Sequence, residues 1–441
     1  MRFSELSPEQ RVAALLDGNV MQPRRAGAVL TASGVLHGRR VYLAATDPAI
    51  ARGAIGVAEA DALATVLRSA REHAAPALLV LDSAGARVDE GLRALGAFRR
   101  LFREALQAKL AGTPLFALLG PICFGGASLL AGLCERRVYL QQTRMATSGP
   151  ALIESASGKD RLDAADRSAV QALMGAQARA SLHPEDTVAD DAAAAMREAA
   201  VRTVESERPT LGLGGEHARL RARLAGAGML RQASAQGTDS AALARVLPAG
   251  YVPTIAGSAF LAQPPERSGK AVFLGSVGAP VSAADCWHLA DWLLAIGDTQ
   301  PGSPVVLVLD AEAHAATVED ERVLLADYLV HLSLCVAALA RTAPRTVLWL
   351  PGTASGASYV AFAAPVDRVC ALPAARIAIL PPAAVRQILG DEVTSAGSPQ
   401  DWVQTGVADA LLDGALQHLA PAGQSLPASS EASNMHRSGD R

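Results

Sequence analysis

Apolar runs of strand length alternate with helical periodicities along this chain, and the alternation occurs twice. Ala77-Leu-Leu-Val-Leu-Asp82 and Val305-Val-Leu-Val-Leu-Asp310 are short, nearly unbroken apolar runs that both end in Leu-Asp. That pattern suits strands covered on both faces. Each run meets a turn, Ser83-Ala-Gly-Ala-Arg87 in the first half and Ala311-Glu-Ala-His314 in the second. Leu92, Leu95, Phe98, Phe102 and Leu106 then recur at helical spacing, and residues 323–340 form a more apolar counterpart.

A second strand running into a small-residue loop comes next. Leu115-Phe-Ala-Leu-Leu-Gly-Pro-Ile-Cys-Phe-Gly-Gly-Ala-Ser128 answers Thr346-Val-Leu-Trp-Leu-Pro-Gly-Thr-Ala-Ser-Gly-Ala-Ser358. Arg137-Val-Tyr139 then matches Arg368-Val-Cys370, Arg144-Met-Ala146 matches Arg376-Ile-Ala378, and Gly149-Pro150 matches Pro381-Pro382. A collinear series at a spacing of about 230 residues reads as an internal duplication. The expected fold is therefore α/β, with duplicated ββα-type units joined by crossover connections. The first domain is expected over 1–235, a linker over 236–257, the second domain over 258–420, and a disordered tail over 421–441.

Composition narrows the function. The 441 residues are 50% hydrophobic and 19% charged, which suits a globular chain with more than one core. Forty Lys and Arg against 43 Asp and Glu leave a net charge of −3, without the basic excess a nucleic-acid binder needs. The longest apolar stretch, residues 328–340, contains His331 and is too short to span a bilayer. Residues 1–11 lack the apolar core of a signal peptide, so a cytoplasmic location without membrane association is expected. Five scattered cysteines form no CxxC pair and are expected to be buried free thiols. Nine histidines without an HExxH motif suggest no metal site.

The small-residue loops carry the candidate chemistry. A strand that enters a helix through Gly125-Gly126 leaves the amides of the first helical turn without intrahelical partners, and an anion is favoured there. The turn around Gly85 and Ala86 lies at the carboxyl end of the neighbouring strand, where α/β sheets bind ligands. One donor from each loop would make an oxyanion hole able to support catalysis without a nucleophile. Ser83 and Ser128 lack a Gly-x-Ser-x-Gly elbow, and capping suits them better than nucleophilic attack. Neither loop has the spacing of a Walker phosphate loop. Arg87 can attract a carboxylate or phosphate, or serve structurally. Glu154 reads as an acid/base or a helix-start residue, Asp166-Arg167 as a surface pair, and His314, the one histidine at the matching catalytic edge of the second half, as an exposed bystander more readily than a base.

Taken together, these segments resemble the crotonase-like carboxyltransferase family, and within it the β and γ subunits of biotin-independent malonate decarboxylase joined in one chain. The β-like part rests on Phe3-Ser-Glu-Leu-Ser-Pro-Glu-Gln-Arg-Val-Ala-Ala-Leu-Leu-Asp17, Leu81-Asp-Ser-Ala-Gly-Ala-Arg-Val-Asp-Glu-Gly91, Cys123-Phe-Gly-Gly-Ala-Ser128, Ala131-Gly-Leu-Cys134, Ser148-Gly-Pro-Ala-Leu-Ile-Glu154 and Asp166-Arg167. The γ-like part rests on Leu309-Asp310, Ala354-Ser-Gly-Ala357 and Ala371-Leu-Pro373. The chain departs from the family at Ala51-Arg-Gly-Ala-Ile-Gly56, Ala311-Glu-Ala-His-Ala-Ala316 and Ser355-Gly356-Ala357, where the family is richer in glycine.

The resemblance implies tandem crotonase-like carboxyltransferase domains with two oxyanion holes between them. It implies decarboxylation of a malonyl thioester on an acyl carrier protein to an acetyl thioester and CO2. Gly85, Ala86, Gly125, Gly126, Gly356 and Ala357 would supply main-chain donors, with Ser83, Arg87, Ala127, Gly149 and Glu154 around the substrate. No cofactor or metal would be bound directly. A dephospho-CoA-type prosthetic group would arrive on the carrier-protein subunit, a carrier-transferase subunit would load it, and a homo-oligomer is compatible with this scheme. Two other readings stay open: the carboxyltransferase component of a biotin-dependent acyl-CoA carboxylase, and a non-catalytic scaffold subunit.

Overall fold

The computed structural model describes residues 1–206, 212–230, 240–264, 270–343, 345–389 and 397–412. The first half builds a sheet from β1 (Met21–Ala26), β2 (Val29–Leu36), β3 (Arg39–Thr46), β4 (Ala77–Ser83), β5 (Leu115–Phe124), β6 (Arg136–Leu140), β7 (Arg144–Ala146) and β8 (Thr187–Ala189). Its order is β1-β2-β3-β4-β5-β6-β8, with β7 beside the end of β5. The first three strands form an antiparallel meander, and from β3 onward every pairing is parallel.

The second half repeats this plan with β9 (Val252–Ala256), β10 (Ala259–Gln263), β11 (Val272–Val277), β12 (Val305–Asp310), β13 (Thr346–Leu350), β14 (Thr353–Ser355), β15 (Arg368–Ala371), β16 (Arg376–Ala378) and β17 (Ala410–Leu411). The main sheet runs β17-β15-β13-β12-β11-β10-β9, and β14 pairs with β16. Strand for strand it matches the first, except that β13 and β14 take the place of the single strand β5. Central strands are buried on both faces, as all seven residues of β4 are. Both meanders begin on an edge strand carrying a proline, Pro23 or Pro253, where a missing ladder donor is tolerated.

The duplication extends to side chains outside the strands. Glu59 accepts hydrogen bonds from the amides of Ala28 and Gly56, tying a hairpin turn to a helix start. Asp285 does the same in the second half, through the amides of Ser258 and Ser282.

The halves meet through their helices with pseudo-twofold exchange. Helix Leu92–Leu110 packs on helix Gly356–Ala363, and helix Gly126–Leu133 packs on helix Leu325–Ala340. A single buried apolar cluster runs through this interface. Arg99 reaches across it to the carbonyls of Ala363 and Gly406 and to Asp409 at 2.7 Å. Asp327 reaches back to Arg137 at 2.7 Å and to Arg223 at 2.9 Å. Burial alone would raise the Asp327 carboxyl, but the guanidinium groups of Arg137 and Arg223 hold it well below the usual range.

Three expectations need amendment. The stretch read as a linker contains, in its described part, helix Ser240–Val246 and strand β9, and Ala242, Leu243 and Val246 join the core beside Phe260. Their apolar spacing, obscured by the surrounding Ala, Gly and Ser, buries them against the second sheet. Helix Leu213–Gly226 falls inside the stretch assigned to the first domain but packs on helices Ala283–Thr299 and Leu325–Ala340 of the second half. The helix expected from residue 323 starts at Leu325, because Leu324 is left-handed with φ 60°. Residues 421–441 lie outside the described residues. All five cysteines are free and buried, as expected.

Candidate functional site

A cavity of about 280 Å³ opens where the carboxyl ends of the two parallel sheets face each other. Gly85, Ala86, Gly125 and Gly126 line it from the first half, and His314, Gly356 and Ala357 from the second. Phe98, Leu129, Leu152, Val360 and Leu380 supply apolar walls.

Backbone pairing decides which amides are available. The Ile55 amide donates to the Gly85 carbonyl at 2.8 Å, and the Arg87 amide donates to the Ile55 carbonyl at 3.0 Å. This parallel bridge turns the Ala86 amide the other way, and among the described residues it has no partner. At the second loop the Gly125 amide donates to the Ala146 carbonyl at 3.2 Å, continuing the β5–β7 pairing. The next amide, Gly126, opens helix Gly126–Leu133 and has no intrahelical acceptor.

The two loops touch. A Cβ on Gly85 would lie 3.2 Å from the Phe124 carbonyl, and one on Gly125 would lie 3.4 Å from the Gly85 Cα. Both glycines have positive φ, 109° and 56°, so this approach needs residues without side chains.

The second half reproduces the frame. Val281 donates to Ala313 and accepts from Ala315, which leaves the His314 amide turned away from the bridge. Gly356, with φ 60°, donates to the Ile379 carbonyl at 3.1 Å, and the Ala357 amide follows it in the first turn of helix Gly356–Ala363. His314 therefore corresponds to Ala86, and Ala357 to Gly126. Although the glycine-rich sequence is lost here, the backbone geometry is kept.

This geometry corrects part of the sequence-based assignment. The amides of Gly85, Gly125 and Gly356 are already bonded, Gly85 to the Ser83 hydroxyl at 3.2 Å. They shape the loops, while the amides of Ala86, Gly126 and Ala357 have no partner among the described residues. Ser83 is fully buried and off the cavity wall, because its hydroxyl closes the turn. Ala127 is buried behind Gly126 in the helix, also off the wall. Gly149 lines the cavity, but Glu154 does not; its carboxylate accepts the Ala164 amide at 2.6 Å and fixes a loop.

Arg87 lies on the wall with its charge compensated by Glu59 at 2.8 Å and Glu90 at 3.6 Å. Ser128 does not cap its helix: its hydroxyl donates to the Gly125 carbonyl at 2.7 Å and the helix has no side-chain cap, whereas Asp166 caps helix Arg167–Met174. At the mouth, Ala51 and Arg52 take left-handed φ values of 46° and 55°, and Arg52 is exposed. Consecutive non-glycine residues in that region mark a loop held under strain by its surroundings.

Two side chains, Thr147 and Ser148, escaped the sequence reading, and a third, His314, was placed wrongly by it. His314, expected to be exposed, is buried; its Nε2 lies 3.0 Å from the Ser148 hydroxyl, and burial pushes its pKa down to about 4. His314 Nδ1 and the hydroxyl of Thr147, both on cavity-lining residues, are buried without a partner among the described residues. The signal for His314 was present in the chain, since it stands four residues after the repeated Leu-Asp, as Ala86 does.

Residues 2–194 match the family model of the carboxyl transferase domain. Among curated proteins, the carboxyltransferase subunit of propionyl-CoA carboxylase from Haloferax mediterranei is 33% identical over 30% of this chain and 26% of its own length. The methylmalonyl-CoA carboxyltransferase 12S subunit of Propionibacterium freudenreichii is 30% identical over 31% of this chain and 26% of its length. The methylmalonyl-CoA decarboxylase subunit alpha of Veillonella parvula is 32% identical over 30% and 26%, respectively. The matched segment thus spans about a quarter of these relatives. Among solved structures, a Pseudomonas malonate decarboxylase hetero-tetramer in complex with malonate aligns with 53% of this chain and 93% of its own, at 26% identity and a TM-score of 0.48. No helix among the described residues is long and apolar enough to cross a membrane.

Proposed function

We propose that this chain decarboxylates a malonyl thioester, using main-chain amides to hold the enolate formed as CO2 leaves. The observation that carries the reading is the pair of unpartnered amides, Ala86 and Gly126, on touching loops of one cavity wall. Breaking the bond between the α-carbon and the carboxylate drives an electron pair onto the thioester oxygen. Fixed N–H donors aimed at that oxygen stabilise the transition state more than the ground state, because the charge is greater there. The departing carboxylate would face the His314 and Ala357 amides of the second half. The apolar walls limit water around the enolate, which strengthens each hydrogen bond to it.

In this reading the thioester is presented on a carrier-protein subunit, through a dephospho-CoA-type arm loaded by a carrier-transferase subunit. The exposed Arg52 at the mouth suits the diphosphate of such an arm. A second reading, the carboxyltransferase component of a biotin-dependent acyl-CoA carboxylase, is favoured by the names of the relatives that match residues in the first half. Incubating the chain with malonyl-CoA and measuring CO2 tests both. Release without biotin supports the decarboxylase. Carboxyl transfer only after a biotinyl carrier is added favours the second reading, and neither activity leaves the scaffold role.

A further inference from the structure

We propose that His314 is the catalytic acid that protonates the α-carbon of the enolate through Nδ1. The inference rests on the decarboxylase reading and supplies its missing proton donor. His314 lines the cavity from the position that Ala86 occupies in the first half, so the duplicated frame brings an imidazole where its twin has a methyl group. The Nδ1–Cε1 edge of the ring lies 3.6 Å from the place of a Cβ on Gly356, itself a wall residue beside the second pair of amides.

The Ser148 hydroxyl assigns the tautomer. Ser148 is buried, and its hydroxyl has one partner among the described residues, His314 Nε2 at 3.0 Å. A buried hydroxyl hydrogen with one available acceptor points at it, so Nε2 accepts and Nδ1 carries the hydrogen. That leaves Nδ1–H as a buried donor without a partner among the described residues, and the Thr147 hydroxyl, on the same cavity's lining, is in the same condition. Buried donors are rarely left unpaired unless a ligand or water completes them.

Burial keeps the ring neutral near pH 7, so the acid is the neutral N–H. An enolate carbon is more basic than an imidazolate nitrogen and can take that proton. The step balances. The bond from the α-carbon to the carboxylate breaks, CO2 leaves, and the α-carbon bonds to the Nδ1 proton while the electron pair returns from the thioester oxygen. Nδ1 then recovers a proton from water as the acetyl thioester departs, releasing hydroxide and so consuming one solvent proton per turnover.

The test reads proton transfer separately from CO2 release. In D2O the wild-type chain should exchange the methyl protons of acetyl-CoA, which is the same transfer in reverse, and should release CO2 from malonyl-CoA. His314→Ala and His314→Asn should lose methyl exchange by about 10²–10⁴-fold, the range for one positioned acid. Ser148→Ala, acting only through the ring, should lose less, and the exchange lost in His314→Ala should partly return with added imidazole. Folded His314→Asn exchanging at the wild-type rate would overturn the assignment while leaving decarboxylation standing. Exchange by the wild type without CO2 release would remove the decarboxylase and leave the acid. Absence of both from the wild type would remove both.

Discussion

Gly125→Ala isolates the proposed oxyanion hole from the rest of the fold. Gly125 sits at φ 56° and ψ −127°, a region essentially restricted to glycine, and forcing a side chain into it costs about 1–3 kcal/mol. Its new Cβ would meet the Gly85 Cα at 3.4 Å, an ordinary contact, so steric crowding adds little. The strain is relieved by rotating ψ, and ψ of Gly125 sets where the Gly126 N–H points. Turning that donor away should remove about 2.7–4 kcal/mol of transition-state stabilisation, or about 10²–10³-fold in kcat. The assay is CO2 release at saturating malonyl-CoA, paired with urea unfolding of the same sample. Gly158→Ala is the control: its φ of 92° imposes comparable strain, but the added methyl meets nothing within 4 Å and lies outside the cavity wall. It should lose stability and keep its turnover. If folded Gly125→Ala stays within about threefold of wild-type kcat, the Gly126 amide does not hold the reacting oxygen.

Other expectations concern the interface and the buried histidines. Asp327→Ala removes the carboxylate shared by Arg137 and Arg223 at the junction of the halves, leaving Arg137 with Asp186 and Arg223 with the Val323 and Leu182 carbonyls, and should cost about 3 kcal/mol in urea unfolding; an unchanged midpoint would refute the pairing. Burial pushes His183 and His331 down to about 3 and His314 to about 4, so between those values and the ordinary 6.5 the unfolded chain binds more protons than the folded one. Stability should therefore be full above pH 6.5 and decline as pH falls toward 4, by up to about 2 kcal/mol per histidine at pH 5. Asp186, pushed up to about 6 by burial, works in the opposite sense and offsets part of that loss. Unfolding midpoints flat from pH 7 to pH 5 would contradict this. Glu154→Gln should leave kcat unchanged, since the carboxylate only fixes the loop at Ala164; a large loss would bring it back into the site.

The parallel core and its duplication were legible because strands covered on both faces are nearly continuous apolar runs, as β4 and β12 are up to Asp82 and Asp310 at their carboxyl ends. The outer meander of each sheet was missed: β1 reads Met-Gln-Pro-Arg-Arg-Ala, an exposed edge whose polarity protects it from further pairing and hides it from a search for apolar runs. The site was legible at the level of loops. Gly85 and Gly125 stood out since close backbone approach at positive φ selects for glycine, but which amide stays unpaired depends on pairing with Ile55 and Ala146, residues remote in the chain. Glu154 and Ser83 were misplaced for a related reason. Residue type marks a group as able to act, whereas only the fold decides whether a backbone amide has already taken its oxygen.

His314 shows what duplication does to a site. Two copies of one backbone frame, packed with pseudo-twofold exchange, bring two amide pairs to one cavity without requiring their side chains to match. The frame is held by hydrogen bonds between main-chain groups and by carboxylates such as Glu59 and Asp285, so it tolerates change at the positions facing the cavity. Divergence can then act on those positions alone. In the first half Ala86 keeps the wall small, which in the proposed reaction leaves room for a thioester oxygen at the amides. In the second half the same position carries an imidazole whose outer nitrogen is tied to Ser148 of the opposite half, so the ring is fixed only when the halves are joined. The proposed division of oxygen binding and proton donation between the two copies needs both on one rigid core, and the continuous apolar cluster between them supplies that rigidity.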